Sequence, residues 1–341
     1  HPDGSTDDSA FPTTISPHQP VVDISSLSWR SGDLDVTVDL DGEVFEMEDQ
    51  RNWTDASFKT YSRPLSLPFP YRLPAGERVL QSVRIAALVR EAEPTVPTRA
   101  PVVRLDPSGP FPLVTVAAST APDPEPEGLD PVGRELVVEL DLRSRSWPAA
   151  LRRAAGRGAP LDVRVVLDAP DPAVLATLTN VLAHHAVARI AVFDAGSHVS
   201  DTAHVAALRR ALAAAGVHIP VVGGSRSHFT ELNRDFGRLP LDLDELLVTF
   251  TPQFHSTSAA QVRESVAMQR LIADHTVRYA AGRPVRIGPI ALRPRYNNVA
   301  TAAEPMPTRD DLRDGYGAHL TGGTDPRQGS AELAAWTIAS A

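Results

Sequence analysis

The stretch LDVRVVLDAPDPAVLATLTNVLAHHAVARIAVF, residues 161–193, decides the fold class of this chain. It begins with a β-branched apolar run at Leu161 to Leu167. An alanine- and leucine-rich segment with apolar residues at helical spacing follows at Pro172 to His185, and a second apolar run follows at Ala188 to Phe193. A buried strand, an amphipathic helix and another buried strand in this order predict a βα unit on a parallel sheet.

The same alternation extends in both directions from this unit. Further strands are predicted at Leu113 to Ala117, Leu136 to Leu140, Ile219 to Val222, Leu246 to Phe250 and Val285 to Leu292. Further helices are predicted at Trp147 to Gly156, Thr202 to Ala215, Ser258 to Ala281 and Ala331 to Ala341. Seven such strands are one short of a (β/α)8 barrel, so we predict a TIM-type barrel that ends before its last strand. A doubly wound open sheet is the alternative, but the glycine-rich turn that usually follows its first strand is missing at Ala117 to Ala121.

The residues before the barrel have a different character. Residues 1–20 are rich in Pro, Ser, Thr and Asp without periodicity, and we expect a disordered lead-in. Residues 21–95 carry alternating strand patterns and are expected to be the last part of a β-rich domain. The patterns fall at Leu34 to Leu40, Glu43 to Met47 and Val79 to Leu88, with a turn at Asp41-Gly42. A proline-rich linker at residues 96–111 then leads into the barrel, residues 112–341.

Composition narrows the function classes. The net charge of −9 and the scattered arginines argue against a nucleic-acid partner, which usually meets a basic patch. The chain has no cysteine, which excludes disulfides, thiolate catalysis and cysteine metal ligands and fits a reducing compartment. Because no run of about 18 apolar residues occurs, no membrane span is expected, and a cytoplasmic location is the default expectation.

Polar residues collect just after the predicted strands, where the loops of a barrel converge on one face. They include Asp194 after the fourth strand, Gly223 to Arg234 after the fifth, Thr251 to Ser256 after the sixth and Arg293 to Asn298 after the seventh. For each aspartate taken singly, helix N-capping is the stronger interpretation. The last three loops hold more polar residues than capping needs. A glycine pair followed by His228, Glu231 and Asn233 suits a pocket for a small polyol or its lactone.

Glu231 is the leading candidate for acid–base chemistry, because a carboxyl group in a converging loop beside His228 can be held near a neutral pKa. His255 is the second candidate, although a lone histidine after a strand can also simply bond to a neighbouring loop. A metal site formed by these three residues with Asp194 is a weaker alternative, since the chain has no HxH or HExxH spacing. We expect no metal and no other cofactor.

One run before the barrel contains an unusual lysine. Lys59 is the single lysine among 33 basic residues, and it lies in FEMEDQRNWTDASFKTY, residues 45–61. Lysine differs from arginine in that it can lose its proton when buried and then act as a base or nucleophile. The alternative is that Lys59 is a surface residue that escaped a compositional bias towards arginine.

This run, followed by Arg63-Pro64-Leu65, resembles the signature of the D-apionate lactonase family. Matching segments are HFTELNR at residues 228–234, TPQFHS at residues 251–256, and GPI with LRPR within residues 288–295. The resemblance implies a bacterial enzyme of carbohydrate metabolism that opens D-apionolactone to D-apionate during degradation of the plant sugar apiose. It also implies a C-terminal β domain, acting in cis, that this chain lacks, so the activity of the chain by itself is in question.

The chemistry of lactone hydrolysis suggests a role for each candidate residue. Glu231 is assigned as the general base on water, and His255 or His228 as the acid that protonates the leaving oxygen. Lys59 or Arg51 would stabilise the oxyanion on the lactone carbonyl. The residues assigned to contacts with the small-molecule sugar lactone are Lys59, Arg51, Asn233, Gln253, Arg293, Arg295 and Asp194.

Two other function classes remain open. A glycoside hydrolase on the same barrel would need a second carboxylate about 5 to 10 Å from Glu231, for which Glu139 and Asp194 are candidates. A sugar-binding module without activity would need aromatic platforms, and aromatic residues make up only 6% of the chain.

Overall fold

The computed structural model describes residues 1–90, 113–118, 134–292, 327 and 329–341. By their contacts the residues form two compact units, residues 1–50 with 57–111 and residues 51–56 with 112–341. The predicted linker at residues 96–111 lies outside the described residues. Within the described ranges, no helix has the length and apolar character needed to cross a membrane.

The first unit contains two three-stranded antiparallel sheets. One sheet has the spatial order β1 (Val21–Ile24), β4 (Phe45–Asp49), β5 (Phe58–Tyr61), and the other has the order β2 (Ser26–Ser31), β3 (Leu34–Asp41), β6 (Ser82–Val89). The predicted turn at Asp41-Gly42 therefore carries the chain from one sheet to the other. The core cluster consists of Ile24, Leu40, Phe45 and Met47. An antiparallel β-rich unit thus precedes the barrel in the sequence, as predicted.

Residues 1–20 form no helix or strand, yet the structure differs from the disordered lead-in expected for them. Ile15 is 1% exposed. The Ser16 N–H donates to the Asp49 carboxylate at 2.9 Å, and the Gln19 amide donates to the Tyr61 hydroxyl at 3.0 Å. One buried apolar side chain and two long-range hydrogen bonds tie the segment to the first sheet, and an average over composition does not reveal such contacts.

The second unit is an α/β barrel of seven parallel strands with one open seam, which confirms the TIM-type fold predicted from the sequence. Its strands are β7 (Val116–Ala117), β8 (Leu136–Asp141), β9 (Leu161–Leu167), β10 (Val187–Asp194), β11 (Val221–Gly224), β12 (Leu246–Phe250) and β13 (Val285–Ile290), each paired with the next. Among the residues that the structure describes, its helices are α1 (Trp147–Ala155), α2 (Pro172–Leu182), α3 (Thr202–Ala214), α4 (Phe229–Asp235), α5 (Ala259–Ala280) and α6 (Ala331–Ser340).

Polar contacts across the interior show how far the sheet curls. Arg164 of β9 donates to the Gly288 carbonyl of β13 at 2.6 Å, although three strands lie between them in the sheet. Arg286 of β13 lies 4.0 Å from Glu135, which directly precedes β8. Strands so far apart in a sheet can make such contacts only when the sheet bends round on itself. The edge strands β7 and β13 bound the seam that remains.

Paired charges fill the amino-terminal end of the barrel interior. Arg189 of β10 lies 2.5 Å from Glu135, 3.6 Å from Asp162 and 3.6 Å from Glu245. Arg286 lies 2.7 Å from Glu245. Because these charged side chains form ion pairs with one another, we interpret them as structural rather than reactive groups. Catalytic side chains are therefore expected at the opposite end of the barrel, where the strands have their carboxyl ends.

Candidate active site

The site begins where β11 ends at Gly224. Gly224 has φ +156°, and a Cβ atom there would lie 2.0 Å from the Leu247 carbonyl oxygen of β12, so only glycine fits. Beyond this turn the chain enters α4, whereas the sequence predicted a loop over Gly223 to Arg234. His228 directly precedes the helix, and Glu231 lies in its first turn.

Glu231 is buried and caps α4. Its Oε2 atom accepts hydrogen bonds from the Ser227 hydroxyl at 2.7 Å and from the His228 N–H at 3.1 Å. Only 8% of the surface of Glu231 is exposed to solvent. Burial raises the pKa of Glu231 to about 7, against the opposing effect of the hydrogen bonds from Ser227 and the backbone. The carboxyl group can therefore donate or accept a proton near neutral pH.

His255, after β12, forms a pair with Asp55, which was not among the predicted site residues. The Nδ1 atom of His255 lies 2.7 Å from Oδ2 of Asp55. Asp55 is 3% exposed, whereas the His255 side chain is 30% exposed and so reaches solvent. A buried carboxylate behind a partly exposed imidazole is the arrangement that orients a histidine for proton transfer.

Asp55 belongs to the segment Arg51–Ala56, which its contacts place in the second unit. The Asn233 side chain of α4 donates to Asn52 Oδ1 at 2.9 Å. Trp53 is buried and stacks on Phe254, with ring centroids 5.9 Å apart, while the Arg234 guanidinium lies 5.2 Å from the same ring. These contacts fix the segment against α4 and the loop after β12.

A strained residue directly precedes Asp55. Thr54 is buried and has φ +71°, in the left-handed region that a β-branched residue rarely occupies. Such a conformation persists only where surrounding contacts hold it, and it is found disproportionately at functional sites. The strained turn directs Asp55 towards His255.

Aromatic contacts join the two acid–base groups into one cluster. The His228 ring meets the Phe254 ring edge-on at a centroid distance of 4.9 Å, and Phe254 meets His255 at 4.7 Å. Trp53 meets His255 at 5.5 Å. The turn that carries Glu231, the loop that carries His255 and the segment that carries Asp55 are therefore packed against one another.

Two predicted substrate contacts are amides that the protein itself engages. Asn233 bonds to Asn52 and accepts from the Tyr279 hydroxyl at 2.5 Å. Gln253 is buried, and its amide pairs with the Leu292 carbonyl at 3.0 Å and with the Arg327 guanidinium when its nitrogen faces Leu292. Both side chains therefore already have partners within the protein.

Four further residues were predicted to contact the substrate, namely Arg51, Lys59, Arg293 and Arg295. Arg51 lies in a short 3-10 helix (Gln50–Trp53), within the segment that joins the second unit. Lys59 belongs to the first unit, where it is exposed, pairs with Glu48 across the sheet and lies 5.5 Å from the Tyr61 ring centroid. Arg293 and Arg295 lie outside the described residues.

The carboxylates considered for a glycoside hydrolase have other partners. Glu139 accepts from the buried Arg226 guanidinium at 2.5 Å. Asp194 Oδ1 accepts from the N–H and the hydroxyl of Ser197, each at 2.7 Å. Burial acts to raise the pKa of Asp194, but the hydrogen bonds from Ser197 outweigh it and leave that pKa below its usual value. Asp194 is therefore a turn-forming residue in this structure.

The alternative prediction of a metal site required four side chains to lie close together. Within the residues that the structure describes, no group of three or more His, Cys, Asp or Glu side chains could hold a metal ion. His228, Glu231, His255 and Asp194 are thus not assembled as a ligand set there.

Comparison with known proteins is consistent with this architecture. The family profile described as "D-apionate lactonase, N-terminal domain" matches residues 1–90, and the profile described as "D-apionate lactonase, TIM barrel domain" matches residues 113–341. The D-apionate lactonase of Brucella anthropi is 28% identical over 331 residues, which cover 87% of this chain and 53% of that protein. The chain thus spans about half the length of this curated relative. No solved structure matches it significantly.

Proposed function

The chain belongs to the D-apionate lactonase family, and from that premise we propose that it hydrolyses the lactone of a branched sugar acid, D-apionolactone to D-apionate. The observation that carries the proposal is the packed cluster that holds Glu231 and the Asp55–His255 pair at the carboxyl ends of the barrel strands. Lactone hydrolysis needs two proton-transfer groups, and this cluster supplies two.

The chemistry sets the roles to be filled. One group must take a proton as water attacks the lactone carbonyl carbon, and another must give a proton to the ring oxygen as its bond to that carbon breaks. The negative charge that develops on the carbonyl oxygen needs a hydrogen-bond donor. Arg51 is our candidate for that donor, because it lies in the same segment as Asp55. Such a reaction requires no cofactor.

A substrate panel tests the proposal. The purified protein is incubated with aldonolactones, D-apionolactone among them, and separately with aryl glycosides, and acid release and aryl release are followed. We expect acid release from lactones with a preference for the branched sugar, and no aryl release. Aryl release without acid release would replace the proposal with the glycoside hydrolase alternative, and binding without either product would indicate a sugar-binding module.

A further inference from the structure

Resting on the function proposed above, we propose that His255 is the general base that takes a proton from water, with Asp55 as its positioning residue, and that Glu231 is the general acid. This division is the reverse of the one that the sequence suggested. It follows from which atoms of each group already have partners.

The Asp55–His255 contact determines which ring nitrogen can act. Oδ2 of Asp55 can only accept, so the Nδ1 atom 2.7 Å away carries the hydrogen. A neutral imidazole then has its lone pair on Nε2, where it can take a proton from water. Asp55 is buried, and it also stabilises the imidazolium that forms when Nε2 is protonated.

The hydrogen bonds of Glu231 favour the complementary role. The Ser227 hydroxyl and the His228 N–H, which come from the turn before α4, both donate to Oε2. In the neutral carboxyl group the hydrogen therefore belongs on Oε1, from which it can be donated. The buried setting of Glu231 favours this neutral form over the charged one.

The proposed step balances without a further reactant. The water oxygen bonds to the lactone carbonyl carbon while one water proton moves to Nε2 of His255. The bond between that carbon and the ring oxygen breaks, its electron pair stays on the ring oxygen, and the oxygen takes the proton from Glu231. The product is the open hydroxy acid. His255 then loses its proton to solvent and Glu231 regains one.

Two substrates whose leaving groups differ in their need for a proton can distinguish the general acid from the general base. Turnover is measured with an aldono-1,4-lactone, which releases an alkoxide that needs a proton, and with dihydrocoumarin, which releases a phenolate that does not. Glu231→Gln should lower kcat about 100-fold with the aldonolactone and only a few-fold with dihydrocoumarin. His255→Gln and Asp55→Asn should lower kcat about 100-fold with both substrates, with KM little changed, and the double variant should lose no more than either single variant.

A matched control lies elsewhere in the barrel. Asp201 contacts Nδ1 of His204 at 2.9 Å, a second aspartate–histidine pair, at the start of α3. Asp201→Asn should leave kcat unchanged with both substrates. Equal losses with both substrates in Glu231→Gln, combined with dihydrocoumarin turnover spared in His255→Gln, would overturn the assignment and restore Glu231 as the base.

A nuclear magnetic resonance measurement tests the pair without relying on turnover. The ¹⁵N shifts of the His255 ring, assigned by comparison with His255→Gln, report which nitrogen carries hydrogen. We expect the Nδ1–H form in the wild type and its loss in Asp55→Ala. An Nε2–H form in the wild type, or an identical spectrum in Asp55→Ala, would overturn the role of Asp55. If the wild type opens no lactone, the proposed function fails, and this measurement still decides the pair.

Discussion

Replacing Glu231 with glutamine should change how the stability of the fold depends on pH. Burial raises the pKa of Glu231 from its ordinary 4.5 to about 7. Below pH 4.5 the carboxyl group is protonated in both the folded and the unfolded chain. Between 4.5 and about 7 the folded chain keeps a proton that the unfolded chain has lost, so the free energy of unfolding falls as pH rises.

The size of the effect follows from the two pKa values. Each pH unit between 4.5 and about 7 corresponds to about 1.4 kcal/mol, so the wild type loses about 3 kcal/mol of stability from this group. Glutamine carries no proton to lose. The stability of Glu231→Gln relative to the wild type should therefore rise by about 3 kcal/mol between pH 4.5 and pH 8.

Urea unfolding followed by tryptophan fluorescence at several pH values measures this difference. The other titrating groups contribute equally to both proteins and cancel in the comparison. A difference between the variant and the wild type that stays flat from pH 4.5 to pH 8 would refute the reasoning, because Glu231 would then titrate at its ordinary pKa.

Three further tests, two of them with a matched control substitution, address Gly224, Arg164 and Lys59. Gly224→Ala should lower the free energy of unfolding by about 4 kcal/mol or more, because the added Cβ would meet the backbone of Leu247. Gly216→Ala, with φ +65° and open space around it, should lower it by about 1 kcal/mol. Equal losses for the two variants in thermal unfolding would contradict the close approach at Gly224. Arg164→Met should cost about 3 kcal/mol, because the buried Asp162 would lose its nearer guanidinium and keep that of Arg189 at 3.6 Å, and Arg143→Met, at an exposed pair, at most about 1 kcal/mol. Lys59→Arg should leave stability and kcat unchanged, given the exposed position of Lys59; a selective fall in kcat would instead indicate a chemical role.

The barrel could be predicted from sequence because its inner strands are buried along their length. Such strands read as mostly apolar runs with sharp boundaries, and Leu161–Leu167, despite its buried Asp162 and Arg164, and Leu246–Phe250 were predicted with the bounds that the structure shows. The helix Phe229–Asp235 was not predicted. It spans only seven residues and is too short for an apolar stripe to repeat, and its start depends on the capping contact between Glu231 and the His228 N–H.

The site could be predicted only in part. Glu231 and His255 were predicted because each follows a strand of the barrel, where functional side chains are expected; their roles stay predictions. Asp55 was missed because its partner lies 200 positions away in the chain and no local pattern signals such a contact. The run at residues 45–61 was singled out for its lysine. The contacts of Asp55, rather than the rarity of lysine, connect residues 51–56 of that run with the candidate site.

The turnover of D-apionolactone by the wild type and by His255→Gln, followed as acid release at constant pH, tests the central claim most directly. We predict measurable hydrolysis by the wild type and a loss of about 100-fold in kcat in the variant, measured below the unfolding temperature of both proteins. Equal rates in the two folded proteins, or no hydrolysis by the wild type, would contradict the claim that this cluster opens a sugar lactone.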